Sequence, residues 1–244
     1  MVLVLDVTEG LWGTDTDRMW TEVVSLRMRN FLPERAVLDR HIGRLKHRTT
    51  ENVTSQRPNT LNKTDKLPIT IYYETLCSDS MVFITHQLYP SWLRHEKEMK
   101  LRLVPFGKAW IEELPNEQPK FHCQHGPREC QLNILHGCIL KKLPPKKAFA
   151  VVACLMKNFR TTFEQCIEGH ESFKNSIVNC SQGEQGNSLF KKFANETDNV
   201  HRPLPFVPTI VDDQPYDFYE QDDWLQHFER KFVERYEAKL GVKL

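Results

Sequence analysis

The sequence predicts an α/β domain that carries a mostly helical insertion, and three observations support this fold class. An apolar run at 67–75, a helical pattern at 78–97 and an alternating run at 99–106 follow one another, which is the order of a parallel βαβ unit. Residues 127–200 then show mostly helical patterns. A short strand candidate and a long amphipathic helix follow this helical block, so the core is interrupted rather than ended by it.

The first half of the core is predicted by composition and spacing. "LPITIYYET" (67–75) is rich in Ile, Thr and Tyr, which are typical of strands. The helix that follows has apolar residues near helical spacing, and Pro90 should kink it without abolishing it. "MKLRLVPF" (99–106) alternates like a second strand. The long crossover makes the two strands parallel and the connection right-handed.

The second half consists of helices followed by a return to the sheet. Pro144 and Pro145 separate the two strongest helical patterns of the block, and "FVPTIV" (206–211) is a strand candidate entered through proline. Residues 213–219 are a further strand candidate, and 222–240 is an amphipathic helix whose apolar stripe is best explained by core packing. This order fits a thioredoxin-like core with a helical insertion at about 120–200.

The chain divides into two regions of different composition. Residues 1–64 contain no cysteine, and 40–64 are basic and polar, so we expect a linker or a disordered region there. Residues 65–244 form the expected thioredoxin-like domain. The opening "MVLVLDVTEG" lacks a basic segment and its apolar run stops at Asp6, unlike a signal peptide, so we expect an altered start.

Charge and hydropathy exclude some classes of protein. The formal net charge of +1, from 33 basic and 32 acidic residues, argues against electrostatic binding of nucleic acid. We find no window of 18 apolar residues, so no membrane span is expected. We also expect a monomer.

Cysteines and glycosylation sequons indicate the secretory pathway, and hence a lysosomal or secreted protein with disulfides. The seven cysteines all lie C-terminal to residue 76: Cys77, Cys123, Cys130, Cys138, Cys154, Cys166 and Cys180. Four N-x-[ST] sequons are the expected glycosylation sites: Asn52, Asn62, Asn179 and Asn195.

Cys77, in "ETLCSDS", lies at the junction of the first strand and the helix. Unpaired N–H groups and the helix dipole at that point favour a thiolate, which is the nucleophilic form. Ser80, one turn on, can donate a hydrogen bond to the sulfur, whereas Asp79 opposes the thiolate by repulsion. The alternative is a buried structural thiol, and the local sequence leaves both interpretations open.

The second cluster of cysteines is "CQHGPRECQLNILHGC", residues 123–138. Its cysteine spacings do not match the paired C-x2-4-C knuckles of structural zinc sites, so disulfides are favoured and no metal is expected. The stretch resembles the C-Q-H-G-x2-E-C-x2-N-x4-C signature of the gamma-interferon-inducible lysosomal thiol reductase family. All eight fixed positions agree: Cys123, Gln124, His125, Gly126, Glu129, Cys130, Asn133 and Cys138.

This resemblance, which extends over about 67–240, implies a thioredoxin-like enzyme that reduces protein disulfides at acidic pH through a C-x-x-C site. Cys77 matches the nucleophile, but Ser80 stands where the resolving cysteine belongs. Val207-Pro208 matches the cis-proline loop that faces the nucleophile. The implied partners are disulfide-containing proteins or small thiols, with no cofactor. A general-base role for His125 competes with a structural role, which is favoured.

The six cysteines other than Cys77 are the expected structural disulfide cysteines. They allow fifteen pairings, among which the sequence cannot choose. Three disulfides would leave Cys77 as the free thiol, as a monothiol site requires. A non-catalytic secreted protein that binds partners in the thioredoxin-like groove is the competing function.

Overall fold

The computed structural model describes residues 66–115 and 119–244, and its elements follow the predicted order. The strands are β1 (Leu67–Tyr73), β2 (Met99–Pro105), β3 (Trp110–Glu112), β4 (Lys120–His122) and β5 (Thr209–Val211). The helices are α1 (Ser78–Val82), α2 (Tyr89–His95), α3 (Pro127–Lys142), α4 (Pro145–Leu155), α5 (Phe163–Cys166), α6 (Lys174–Ser181), α7 (Glu184–Asp198), α8 (Gln221–Gln226) and α9 (Phe228–Leu240). A π-helical turn (Phe83–Leu88) and a 3-10 turn (Glu171–Phe173) complete the elements of the described ranges.

The central sheet has the strand order β2-β1-β5 in the part of the chain that the structure describes. β1 and β2 are parallel, with Leu67 opposite Met99 and Tyr73 opposite Pro105. β5 lies antiparallel on the other side of β1, with Tyr72 opposite Thr209. The predicted α/β class is therefore confirmed: the fold is thioredoxin-like, and the helices α3 to α7 form a mostly helical insertion between β4 and β5.

The crossover between β1 and β2 is one helical run from α1 to α2, but it deviates from α-geometry before Pro90 rather than at it. The π-helical turn Phe83–Leu88 lies directly N-terminal to the proline. Pro90 has no N–H to donate to the carbonyl of His86, and its ring crowds that carbonyl. A wider turn relieves the crowding, which explains why the helix continues.

Two predictions for the C-terminal region are wrong in detail. Residues 213–219 form no strand. Asp212 Oδ1 accepts the N–H of Gln214 at 2.9 Å, and Asp217 Oδ1 accepts that of Tyr219 at 2.8 Å, so side chains satisfy N–H groups that a sheet would use. The expected helix over 222–240 is divided into α8 and α9 at His227, whose backbone is not helical (φ −134°, ψ 44°).

The apolar stripe of the last helices packs into the core, as the sequence predicts. Its four aromatic residues are at most 3% exposed: Trp224, Phe228, Phe232 and Tyr236. The ring of Phe228 lies edge-on to that of Phe83, with 5.6 Å between the centroids. Each such burial contributes about 1.5–3 kcal/mol, so the C-terminal helices fix the position of the crossover helix.

Some expectations lie outside the described residues. The linker or disordered region at 1–64 and the sequons at Asn52 and Asn62 are among them. No helix within the described ranges is long and apolar enough to cross a membrane.

Candidate functional site

Cys77 lies where β1 leads into α1. Its backbone is extended and its carbonyl accepts a hydrogen bond from the N–H of Met81 at 3.0 Å, so Cys77 is the N-cap of the helix. The Cys77 Sγ is 3.8 Å from the carbonyl oxygen of Val207, and the peptide bond between Val207 and Pro208 is cis. Two sequence-predicted site residues, Cys77 and Pro208, therefore come together although they are far apart in the chain.

Ser80 is fully buried one turn along α1. Its Oγ accepts the N–H of Glu74 at 3.4 Å, and both its hydroxyl and its backbone N–H hydrogen-bond the sulfur of Cys77. A hydroxyl can stabilise a thiolate, but it cannot form a disulfide. Ser80 therefore supplies a hydrogen bond at the position where a second sulfur would act.

The electrostatic environment of Cys77 differs from the sequence-based expectation. Burial raises the pKa of the Cys77 thiol, since the side chain is only 8% exposed. The two hydrogen bonds from Ser80 lower this pKa, but the carboxylates of Asp79 and Glu74 add to the rise. The expected lowering by the helix N-terminus was wrong as a net effect, because loss of solvation outweighs the hydrogen bonds.

Two signature residues hold the backbone just before Cys77. Asn133 Oδ1 accepts hydrogen bonds from the N–H of Thr75 at 3.0 Å and from its hydroxyl at 2.8 Å. Glu129 Oε2 accepts the N–H of Leu76 at 3.2 Å. Because Asn133 and Glu129 both lie on α3, this helix fixes the loop that carries the candidate nucleophile.

His125 connects two buried carboxyl groups. Its Nδ1 lies 2.6 Å from Glu129 Oε2 and 3.5 Å from Glu74 Oε2, and its backbone N–H donates to Glu129 Oε1 at 3.1 Å. The His125 side chain is 38% exposed, whereas those of Glu74 and Glu129 are almost fully buried. These contacts support the structural role of His125 that the sequence favours.

Glu74 is a site residue that the sequence analysis missed. Burial raises the pKa of Glu74 to about 7, and the nearby carboxylate of Glu129 contributes to the rise. The N–H of Lys108, which donates to Oε1 at 2.7 Å, and the nearby His125 act in the opposite direction and lower this pKa. Gly107 makes room for this carboxyl: its φ is +61°, and an added Cβ would lie 2.3 Å from Glu74 Cγ. The sequence feature that could have indicated Glu74 is a single acidic residue at the end of an apolar strand.

The same three side chains place a histidine nitrogen and two carboxylate oxygens within 4.8 Å of one another. Zinc binds such atoms at about 2.0–2.2 Å, which separates neighbouring ligand atoms by about 3.3 Å. The 2.6 Å distance between His125 Nδ1 and Glu129 Oε2 is instead that of a hydrogen bond. We therefore describe His125 and Glu129 as a hydrogen-bonded pair that lies beside the carboxyl group of Glu74.

All seven cysteines lie in the described part of the chain, and six of them form disulfides. The pairs are Cys123–Cys130, Cys138–Cys180 and Cys154–Cys166. Cys77 is the free cysteine. The first pair closes the signature loop, the second joins α3 to α6, and the third joins α4 to α5, so the disulfides cross-link the signature loop and the helical insertion and leave Cys77 as a free thiol.

The other predicted site residues lie at the surface. Gln124 is exposed on the signature loop, and Gly126, with φ +85°, begins α3 in a conformation that favours glycine. The sequon residues Asn179 and Asn195 are exposed on α6 and α7. Neither asparagine is buried, so both side chains are open to solvent.

A parallel βαβ unit with an antiparallel third strand, and with a helix-capping cysteine that faces a cis-proline, defines the thioredoxin-like class of thiol–disulfide proteins. The family model described as gamma interferon inducible lysosomal thiol reductase (GILT) matches residues 68–170. The chain belongs to this family.

Two relatives from other organisms agree with this assignment. GILT-like protein 2 of Drosophila melanogaster is 32% identical over 74% of this chain and 85% of its own length. The gamma-interferon-inducible lysosomal thiol reductase of Mus musculus is 32% identical over 65% of each chain. Among solved structures, the cytosolic disulfide reductase DsbM of Pseudomonas aeruginosa is 13% identical, with TM-score 0.48 over 72% of this chain and all of that one.

Proposed function

We propose that this protein is a monothiol member of its family that exchanges disulfides through Cys77. The proposal rests on one observation: the Cys77 sulfur faces the carbonyl of Val207 while Ser80 occupies the position of a second thiol. The Cys77 thiolate attacks one sulfur of a substrate disulfide, and a new S–S bond to Cys77 forms. The substrate S–S bond breaks, and its other sulfur leaves as a thiolate.

The second step requires a thiol from outside the site. A dithiol enzyme resolves the mixed disulfide internally, at high effective concentration. Ser80 has no sulfur, so an external small thiolate attacks the mixed disulfide, bonds to the substrate sulfur and releases Cys77. Alternatively, the thiolate that the substrate released attacks a second disulfide of the same substrate, and the cysteine thiolate freed there attacks the mixed disulfide and releases Cys77, which rearranges the substrate disulfides. Net reduction is therefore weak compared with a C-x-x-C enzyme.

The raised pKa of Cys77 adds a pH dependence to the first step. A thiol with the ordinary pKa of about 8.5 is only about 0.03% thiolate at pH 5, and burial reduces this fraction further. Below the pKa, the thiolate fraction rises about tenfold per pH unit, as for any single titration. Adduct formation should accelerate accordingly between pH 5 and pH 7.

The burial of Cys77 also favours a second candidate function, a non-catalytic binding protein. A cysteine that is only 8% exposed and whose thiol has a raised pKa is a poor nucleophile. On this alternative, the groove between Cys77 and Pro208 holds polypeptides without covalent exchange.

The remaining properties proposed for the protein follow from its family and its sequence. We assign it to the lysosome or the secreted fraction, as a monomer glycosylated at one or more of its four sequons. Its partners are disulfide-containing proteins and small thiols, because Cys77 is the reactive group. Nucleic acid is not a partner, given the net charge of +1. The folded domain is proposed to span 65–244.

An intact-mass assay distinguishes the two functions. The protein is mixed with a disulfide-containing peptide at pH 5 and pH 7, and the covalent adduct is measured over time. Exchange predicts an adduct that is absent in Cys77→Ser and forms faster at pH 7. Wild-type protein that forms no adduct at either pH would support the binding function instead.

A further inference from the structure

Three aromatic side chains form a connected surface, and one of them, Phe206, directly precedes the Val207-Pro208 segment. The ring centroids of Phe206 and Phe218 are 5.9 Å apart, and those of Phe218 and Tyr219 are 5.7 Å apart. Phe218 is 53% exposed and Tyr219 is 90% exposed. We call Phe206, Phe218 and Tyr219 the aromatic patch.

The patch is held in place by β5 and its surroundings. The hydroxyl of Thr209 donates to the carbonyl of Phe206 at 2.8 Å. The buried side chain of Gln221 exchanges two hydrogen bonds of 2.8 Å with the backbone of Ile210, which fixes the segment carrying Phe218 and Tyr219 against β5. Solvent-exposed rings anchored in this way are pre-organised for contact with a partner.

The approach to Cys77 determines which partner reaches the patch. The sulfur is nearly buried and lies beside the carbonyl of Val207, and Phe206 immediately precedes Val207. A polypeptide that presents a disulfide to Cys77 must therefore cross the Val207-Pro208 segment. An extended chain advances about 3.3 Å per residue, so side chains two or three residues from the substrate cysteine lie within about 10 Å of it.

We propose that the aromatic patch is a subsite for a large apolar side chain that flanks the reacting cysteine of an extended polypeptide. This inference rests on the proposed function, and it defines the substrate class as unfolded or extended segments with aromatic or large aliphatic residues near the disulfide. Contact with such a side chain removes apolar ring surface from water, which favours binding.

Binding is tested first without chemistry. Two fluorescent peptides carry serine in place of cysteine; one has phenylalanine and leucine as flanking residues, the other serine and asparagine. The inference predicts that wild-type protein binds the apolar peptide about tenfold more tightly, as for a good aromatic contact. The double variant Phe218→Ser, Tyr219→Ser should lose this preference. Phe159→Ser is the matched control, because Phe159 is 52% exposed but lies between α4 and α5.

The same sequences with an intact disulfide then test the exchange step by intact mass. Faster adduct formation with the apolar peptide, lost in the double variant and kept in Phe159→Ser, supports the subsite. Equal binding and equal adduct rates for both peptides would overturn the subsite and leave the exchange function standing. An apolar preference in binding with no adduct from either peptide would retain the subsite and overturn the exchange function.

Discussion

Glu74→Gln should make the protein more stable at neutral pH while leaving its stability at pH 4.5 nearly unchanged. The Glu74 pKa is raised from 4.5 to about 7 by burial, so the folded state binds a proton that the unfolded state has released. Between these two values the unfolded state holds fewer protons, and stability falls as the pH rises. At 1.36 kcal/mol per unit of pKa, the carboxylate costs up to about 3 kcal/mol at pH 8.

Glutamine keeps the oxygen that accepts the N–H of Lys108 and cannot ionise, so this cost should disappear. The assay is urea unfolding of both proteins at pH 4.5, 6 and 8, with the difference in free energy of unfolding as the readout. The difference is needed because burial also lowers the pKa of His136 from 6.5 to about 3. The unfolded state therefore binds a proton at His136 as the pH falls below 6.5, which destabilises both proteins equally. The exposed Glu168→Gln is the control. A Glu74→Gln difference that does not change with pH would refute the reasoning.

Three further predictions concern the loop before Cys77, the disulfides and the glycans. Asn133→Ala should slow adduct formation at Cys77 severalfold and destabilise the protein by about 1–3 kcal/mol, because the buried Thr75 N–H loses its acceptor. An unchanged adduct rate would contradict the role of Asn133 in positioning the loop before Cys77. Peptide mapping of the oxidised protein should find a free Cys77 and the pairs Cys123–Cys130, Cys138–Cys180 and Cys154–Cys166, whereas any peptide that links Cys77 to another cysteine of the chain would exclude the pairing. Secreted material should lose mass after glycosidase treatment. Asn62 is the best candidate for the glycosylated residue, and Asn179 is the least certain because Cys180 in its sequon is in a disulfide. No change in mass would count against the assigned compartment.

The fold could be predicted from the sequence where apolar periodicity was strong. The parallel strands, the helical block and the final amphipathic helices all carried clear patterns. The hairpin of β3 and β4 was missed because each of its strands is three residues long, too short for alternation to show. The π-helical turn before Pro90 was missed because the sequence shows the missing N–H but not where the helix adjusts to it.

The candidate site could be predicted in its residues but not in its energetics. Cys77, Ser80 and Pro208 followed from the strand–helix junction and the family resemblance. The pKa of Cys77 did not, because it depends on how deeply the folded chain buries the sulfur. The cluster of Glu74 with His125 and Glu129 forms only because the end of β1 meets the start of α3. A local sequence pattern cannot predict this tertiary contact.

The lifetime of the mixed disulfide at Cys77 tests the central claim most directly. Wild-type protein, Ser80→Cys and the control Ser172→Cys are each mixed with a peptide whose single cysteine is disulfide-bonded to a separate small thiol, so that the leaving thiolate diffuses away. Intact mass then follows the Cys77 adduct without added thiol. The account predicts a persistent adduct in wild type and Ser172→Cys. In Ser80→Cys the adduct should decay at least tenfold faster as an internal disulfide forms, because a thiol on the same turn acts at high effective concentration. With a reducing thiol supplied, Ser80→Cys should also show the higher reductase turnover. Equal adduct lifetimes in wild type and Ser80→Cys, with no gain in turnover at pH 5 or pH 7, would contradict the account.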